Sequence, residues 1–244
     1  MAEPERTALE RRYLEAVQEA DIRGCRAMVD TFEAAAKDSR AVINRPLADV
    51  ERLASSDQQI YATYYERLDA GVQTPYGNAW DRWRRIADAT LFPLYEKRIR
   101  FAALSLDGVG VLNYGDCSLV LRDELVADRT TVFEENSAVF MRDRGPGLAL
   151  GRRATWDQRA RLCVAKLASA IHAGTAPSDF PGLLLRQGAI SEDDRFVEVH
   201  IWGSLTARTC ERAILILKGK KPRQAFRKAF QWRLAAVGIK LEVR

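Results

Sequence analysis

The chain has 244 residues, 47% of them hydrophobic and 29% charged, with a formal net charge of +5. That suits one large or two small globular domains with enough apolar mass for a core. No apolar run reaches membrane-spanning length, and the start Met1-Ala-Glu-Pro-Glu-Arg6 is too acidic and polar for a secretory signal. The expectation is a cytosolic protein, or one delivered by a machine that reads other signals.

The first hundred residues read as helices. Leu14, Val17, Cys25, Met28, Phe32 and Ala36 recur at helical spacing, with Pro4 near the start and Gly24 as a break or weak point. Asn44-Arg-Pro46 is punctuation. A second helix is expected from Leu47 through Val50, Leu53, Ile60, Tyr61, Tyr64 and Leu68. Gly71 to Gly77 is a turn-rich link, and Asn78 is placed to cap a third helix carrying Trp80, Trp83, Ile86, Ala87, Leu91 and Leu94. The pairs Trp80/Trp83 and Tyr61/Tyr64 read as packing seams rather than a ligand cage.

Near Arg100 the texture changes. Phe101–Leu106, Cys117–Leu121 and Val132-Phe133 read as short strands broken by Asp107-Gly108 and Tyr114-Gly-Asp116. Arg144–Gly151 is a loop. Thr155-Trp-Asp-Gln158 has the spacing of a capping box opening a helix to about His172. Phe196–Trp202 is a strand with Phe196, Glu198 and His200 on one face and Val197, Val199 and Ile201 on the other. A helix over Thr206–Leu217, another opened by Pro222 and ended by Gly238, and a last strand over Ile239–Val243 complete the layout. The fold class is therefore α+β: a helical region over 1–98, for delivery or for binding a target or partner, then a mixed domain over 99–244. Strands and helices do not alternate regularly, and no phosphate loop of the usual spacing occurs, which argues against a doubly wound nucleotide fold.

Little else resembles chemistry. Cys25, Cys117, Cys163 and Cys210 are scattered, His172 and His200 add no ligand spacing, and no metal site is expected. Glu198 is the exception, a lone carboxylate between an aromatic ring and an imidazole, suited to stabilising a cationic transition state at a sugar carbon. Upstream, Tyr114-Gly115 offers a ring and a close-approach backbone. Arg129 offers a fork of donors for a phosphate or carboxylate, and Thr130, Thr131 and Ser137 offer hydroxyls. On chemistry alone these groups equally fit an ordinary β structure with a half-exposed strand.

The order Tyr114-Gly-Asp, apolar strand, Arg129-Thr-Thr, Ser137, then Val197-Glu198-Val-His-Ile-Trp-Gly203 resembles ADP-ribosyltransferase-like domains of bacterial polymorphic toxins and phage-associated proteins, over about residues 100–217. The resemblance implies a split β-sandwich with NAD in the cleft between two small sheets. It implies Glu198 as the catalytic carboxylate and Tyr114 as the ring beside the nicotinamide. Gly115, Arg129, Thr130, Thr131, Ser137 and His200 become cofactor-binding candidates, with Arg129 either holding the pyrophosphate or serving only the structure. Phe196 stands where many relatives carry an acceptor-orienting Gln or Glu, and Asn136-Ser137 where Asp-Ser is usual. The implied function is mono-ADP-ribosyl transfer to a macromolecular acceptor, protein or nucleic acid, by a toxin or effector.

The basic stretch from Lys218 to Arg233 contains no acidic residue. It would then face the target or an acidic neutralising partner. Interleaved with Phe226, Phe230 and Trp232, it also supports a different reading, a nucleic-acid-binding protein. A third reading is a non-catalytic structural or phage-associated module.

Overall fold

Two helices open the chain, α1 (Glu3–Ile22) and α2 (Arg26–Lys37). Pro4 sits in the first turn, where its missing N–H is no loss, and Glu3 and Glu5 lie at the positive end of the helix. Gly24, at φ +69°, makes the break anticipated there. The computed structural model describes residues 1–75, 77–217 and 224–244, without the side chain of Gln224.

The remaining elements are β1 (Arg40–Arg45), α3 (Leu47–Leu53), α4 (Tyr64–Asp69), α5 (Ala79–Leu91), β2 (Ile99–Ser105), β3 (Cys117–Leu121), α6 (Asp123–Val126) and β4 (Thr130–Phe133). After them come α7 (Ser137–Arg144), β5 (Arg153–Thr155), α8 (Arg159–Leu167), α9 (Phe180–Leu184), β6 (Leu185–Arg186), β7 (Arg195–Phe196), β8 (Glu198–Trp202), β9 (Cys210–Leu215), α10 (Gln224–Ala236) and β10 (Lys240–Val243). Eight strands form one sheet in the order β10-β9-β3-β1-β2-β8-β4-β5, and β6 and β7 pair apart from it. All pairings are antiparallel except β9 with β10. The protein is α+β, as expected.

The sheet is covered on both faces. On one face Ala41, Ile43, Leu104, Leu119, Val132, Val199 and Ile201 pack with Val17, Phe32, Leu162 and Cys163 of α1, α2 and α8. Fully burying a valine, leucine, isoleucine or phenylalanine side chain stabilises the fold by roughly 1.5–3 kcal/mol. On the other face Phe133 packs with Ala87 and Leu91 of α5 and with Phe140 and Met141 of α7.

Several expectations are corrected. The boundary at 98/99 is not a domain boundary, because β1 lies between β3 and β2 in the middle of the sheet. Helix α1 is also tied to the rest: Arg12 and Arg152 both donate to the buried carboxylate of Glu134, and Glu5 accepts from the amides of Arg152 and Arg153. The helix expected from Leu47 to Leu68 is two helices, α3 and α4. Between them Ser56 Oγ accepts from the amide of Gln58, a local bond that competes with helix, and Ile60 bridges Thr206. The helix expected over Thr206–Leu217 is a turn followed by β9, whose short apolar run is buried in the sheet. Thr155 places its hydroxyl on Gln158 Oε1 rather than on a backbone amide, so the capping box does not form, and α8 ends at Leu167. Ser137 begins an unforeseen helix, α7. Strands β2, β3 and β4, the capped start of α5 and the final strand match the sequence reading. Pro222 and the basic residues from Lys218 to Arg223 lie outside the described residues.

One irregularity in the sheet positions everything that follows. Strand β1 pairs with β2 only through Arg40–Val42, and with β3 through Val42–Arg45. Beyond Val42 its two neighbours part: Ile43–Arg45 stay with β3, while Ile99–Ala102 stay with β8. The sheet therefore forks. In place of the two small sheets expected, eight strands make one continuous sheet, in which β1 and β2 pair only at Arg40–Val42.

Candidate functional site

A cleft of about 820 Å³ occupies the fork, a size typical of small-molecule sites. Its walls come from the diverging strands, from α4 and α5, from the turn carrying Tyr114 and from the strand end carrying Phe196 and Glu198.

Glu198 opens β8, opposite Ala103 of β2 and Phe133 of β4. Alternation along the strand turns Val199 and Ile201 into the large core, and Glu198 and His200 to the other face, where α5 and α7 leave them only 6% and 2% exposed. The Glu198 carboxylate is held through one oxygen. Oε2 accepts the amide of Ser137 at 3.1 Å, and His200 Nε2 lies 3.0 Å away. The amide opens α7, so the positive end of a helix supports the charge. The His200 proton is assigned to Nε2 because its partner is a carboxylate. The imidazole is fixed by Phe92 and Phe101 edge-on at 4.7 and 5.4 Å and by Phe133 stacked at 6.3 Å. Oε1 has no donor among the described residues, which leaves it for a ligand. A carboxylate buried and immobilised in this way can stabilise positive charge without reorganising.

Tyr114 faces the same cleft, beside Ala103, Val111 and Phe196. Burial pushes its hydroxyl well above the ordinary phenol range, so the ring is neutral at physiological pH. Asn44 of β1 sets its position. The Asn44 amide donates to the Val109 carbonyl at 2.9 Å and to Ser118 Oγ at 3.0 Å, and its oxygen accepts the amide of Val111 at 2.7 Å. Gly115, at φ +149°, lies so close to β1 that a Cβ would fall 2.0 Å from the carbonyl carbon of Arg45. The close approach expected of Gly115 is thus to the protein's own backbone.

The opposite wall is the α4–α5 pair. Thr63 and Glu66 form a capping box at the start of α4. Two bonds join the helices: Tyr64 donates to Asp81 at 3.2 Å and Tyr65 to Asp88 at 2.7 Å. Asp88 is 1% exposed, and burial raises its carboxyl from 3.8 to about 7 despite the nearby Arg84 guanidinium. Arg84 lies over the rings of Tyr64 and Phe101, 5.2 and 5.7 Å from their centroids. Tyr61, Tyr64, Tyr65, Trp80 and Phe101 line this end of the cleft.

Of the residues singled out in the sequence, Glu198 and Tyr114 share the cleft. His200 and Ser137 support Glu198 from behind, Ser137 through its amide rather than its hydroxyl. The Arg129–Thr131 segment lies on the far side of β8. Arg129 donates to the carbonyls of Trp202 and Ser204, and Thr130 to that of Val126 at 2.6 Å. Thr131 sits opposite His200 and Thr155 in the sheet and does not line the cleft. The sequence reading missed Asn44, Tyr64, Tyr65, Trp80 and Arg84, all in the first 98 residues. The available signals were Tyr61/Tyr64 and Trp80/Trp83, read as packing seams; that reading holds for Tyr61, which packs on the large core, and for Trp83, which packs on the α5–α7 cluster.

Among the described residues no cluster of metal-ligating side chains occurs, and no helix is long and apolar enough to cross a membrane. The four cysteines are buried and unpaired, and burial pushes the thiols of Cys117, Cys163 and Cys210 up to about 12. On α10 Phe230 is buried and Phe226 stacks on it, leaving Trp232 as the exposed ring of the basic stretch. No protein-family model matches the chain, and no curated protein matches it.

Proposed function

We propose that the chain is an NAD-dependent mono-ADP-ribosyltransferase. The observation that carries this is Glu198: a carboxylate fixed by a helix amide and an imidazole, with one free oxygen, in a cleft that Tyr114 and further rings share. NAD is the substrate in this reading and supplies the ADP-ribose. The free oxygen of Glu198 meets the hydroxyls of the nicotinamide ribose and offsets the positive charge that grows on the sugar as nicotinamide leaves. Tyr114, neutral and apolar-flanked, packs beside the nicotinamide ring. The forked sheet also supports the reading, because it supplies a cleft between its diverging strands.

Phe196, buried two residues before Glu198, offers the acceptor no hydrogen bond, so the acceptor is oriented by its own binding surface. A toxin or effector acting on a macromolecule is the corresponding role, with the basic stretch facing target or inhibitor. The test is transfer of labelled ADP-ribose from NAD in a cell lysate. Wild type labels an acceptor, and Glu198→Gln, which keeps the size of the side chain, reduces labelling by about a hundredfold or more. Equal labelling by both proteins overturns the assignment of Glu198, and no NAD consumption by wild type overturns the activity.

A further inference from the structure

Four arginines line the cleft, and three are engaged. Arg45 donates to the hydroxyl of Tyr61 and lies over its ring, Arg67 pairs with Asp49 at 2.8 Å, and Arg100 reaches Glu66 at 3.1 Å. Arg84 differs. Among the described residues it has no hydrogen-bond acceptor and no ion-pair partner within 4 Å; its close contacts are the rings of Tyr64 and Phe101. The nearby carboxylates are bonded to other groups: Asp81 accepts from Gly77 and Tyr64, Asp88 from Tyr65, and Glu198, across the cleft, from Ser137 and His200.

A guanidinium held against two ring faces, with no acceptor of its own, has donors left for a ligand. Those donors suit a planar pair of oxygens on an anion. Around it, Tyr65 and Trp80 also line the cleft. Phe101 contacts both Arg84 and His200, and His200 contacts Glu198, so two rings, Phe101 and His200, link an anion at Arg84 to the carboxylate. Burial works against the charge on Arg84, but the acidic groups around it, Asp88 first, outweigh it and hold the pKa above the ordinary value. The cation persists at any working pH.

We infer that Arg84 is the anion-holding group of this cleft and takes the diphosphate of a nucleotide whose flat base rests against the aromatic wall. The identity of the nucleotide rests on the NAD reading; the anion site rests on Arg84 alone. Arg129, the candidate from sequence, is committed to backbone carbonyls and leaves that role open.

The test is calorimetric titration of the full chain with ADP, adenosine, inorganic pyrophosphate and NAD at fixed ionic strength, for wild type, Arg84→Gln and Arg84→Lys. Wild type binds ADP more tightly than adenosine. Arg84→Gln loses about tenfold or more in ADP affinity and changes little toward adenosine. Arg84→Lys, a point charge without the fork, falls between, and it decides the matter if the glutamine variant does not fold. Unchanged ADP binding in the variants overturns the inference, as does wild type that binds none of NAD, ADP and pyrophosphate. Arg84-dependent ADP binding with no NAD binding sinks the transferase reading and leaves the anion site standing. Glu198-dependent NAD turnover that ignores Arg84 does the reverse.

Discussion

Asp88→Asn makes a quantitative test of the wall opposite Glu198. Asp88 accepts from Tyr65 at the centre of the α4–α5 contact, and burial raises its carboxyl from 3.8 to about 7. The folded protein therefore holds a proton on Asp88 that the unfolded chain releases between those values. Where the folded state binds more protons, stability falls as pH rises, so the loss runs from about pH 4 to about pH 7 and then levels off. At 1.36 kcal/mol per pH unit, full ionisation costs about 2–4 kcal/mol, the lower figure allowing for water reaching the carboxyl. For a chain of this size that is roughly 5–15 °C in melting temperature. Asparagine keeps an oxygen for Tyr65 and cannot ionise. Melting curves between pH 5 and 8 are therefore steeper for wild type than for Asp88→Asn, with the difference growing toward pH 7. Parallel curves would refute the raised carboxyl and the account of how the α4–α5 wall is held.

Three further substitutions test the rest of the site's construction. Gly115→Ala puts a Cβ against the backbone of Arg45, which cannot yield; urea unfolding is expected to show a loss of about 2–4 kcal/mol, and a loss below about 0.5 kcal/mol contradicts the close approach. Asn44→Ala strips the Tyr114 turn of its buried anchor and leaves the Val111 amide unpaired, lowering stability by about 2–4 kcal/mol; chemical denaturation at neutral pH reads it. Arg129→Ala lowers stability by about 1 kcal/mol through lost carbonyl contacts, while the melting shift induced by NAD stays as in wild type. A lost NAD response in a folded Arg129→Ala protein returns that residue to the ligand.

Local pattern made some of this legible. The alternation from Val197 to Ile201 places Glu198 away from the core, and the structure agrees because period two leaves no other choice for a strand between β2 and β4. Asn78 caps α5 through a bond three residues long. What was not legible is non-local. Ala41-Val-Ile43 is too short an apolar run between helices to announce a central strand, and only its pairing with β2 and β3, from far downstream, makes it one. Arg129 looked free because the carbonyls it serves are 73 and 75 residues away. Arg84 was not singled out in the sequence; it is a cleft residue because Tyr64 and Phe101, from two other elements, lie against it. Tyr64 read as packing for the same reason, since its partner Asp81 gave no sign in sequence of being buried.

The central claim is that Glu198 promotes cleavage of the bond between nicotinamide and ribose. Release of nicotinamide from NAD by the purified chain, followed by chromatography, tests it most directly. Wild type is expected to release nicotinamide above the buffer rate and Glu198→Gln about a hundredfold more slowly, with NAD binding retained. Wild type that leaves NAD intact, or a Glu198→Gln protein as fast as wild type, contradicts the account.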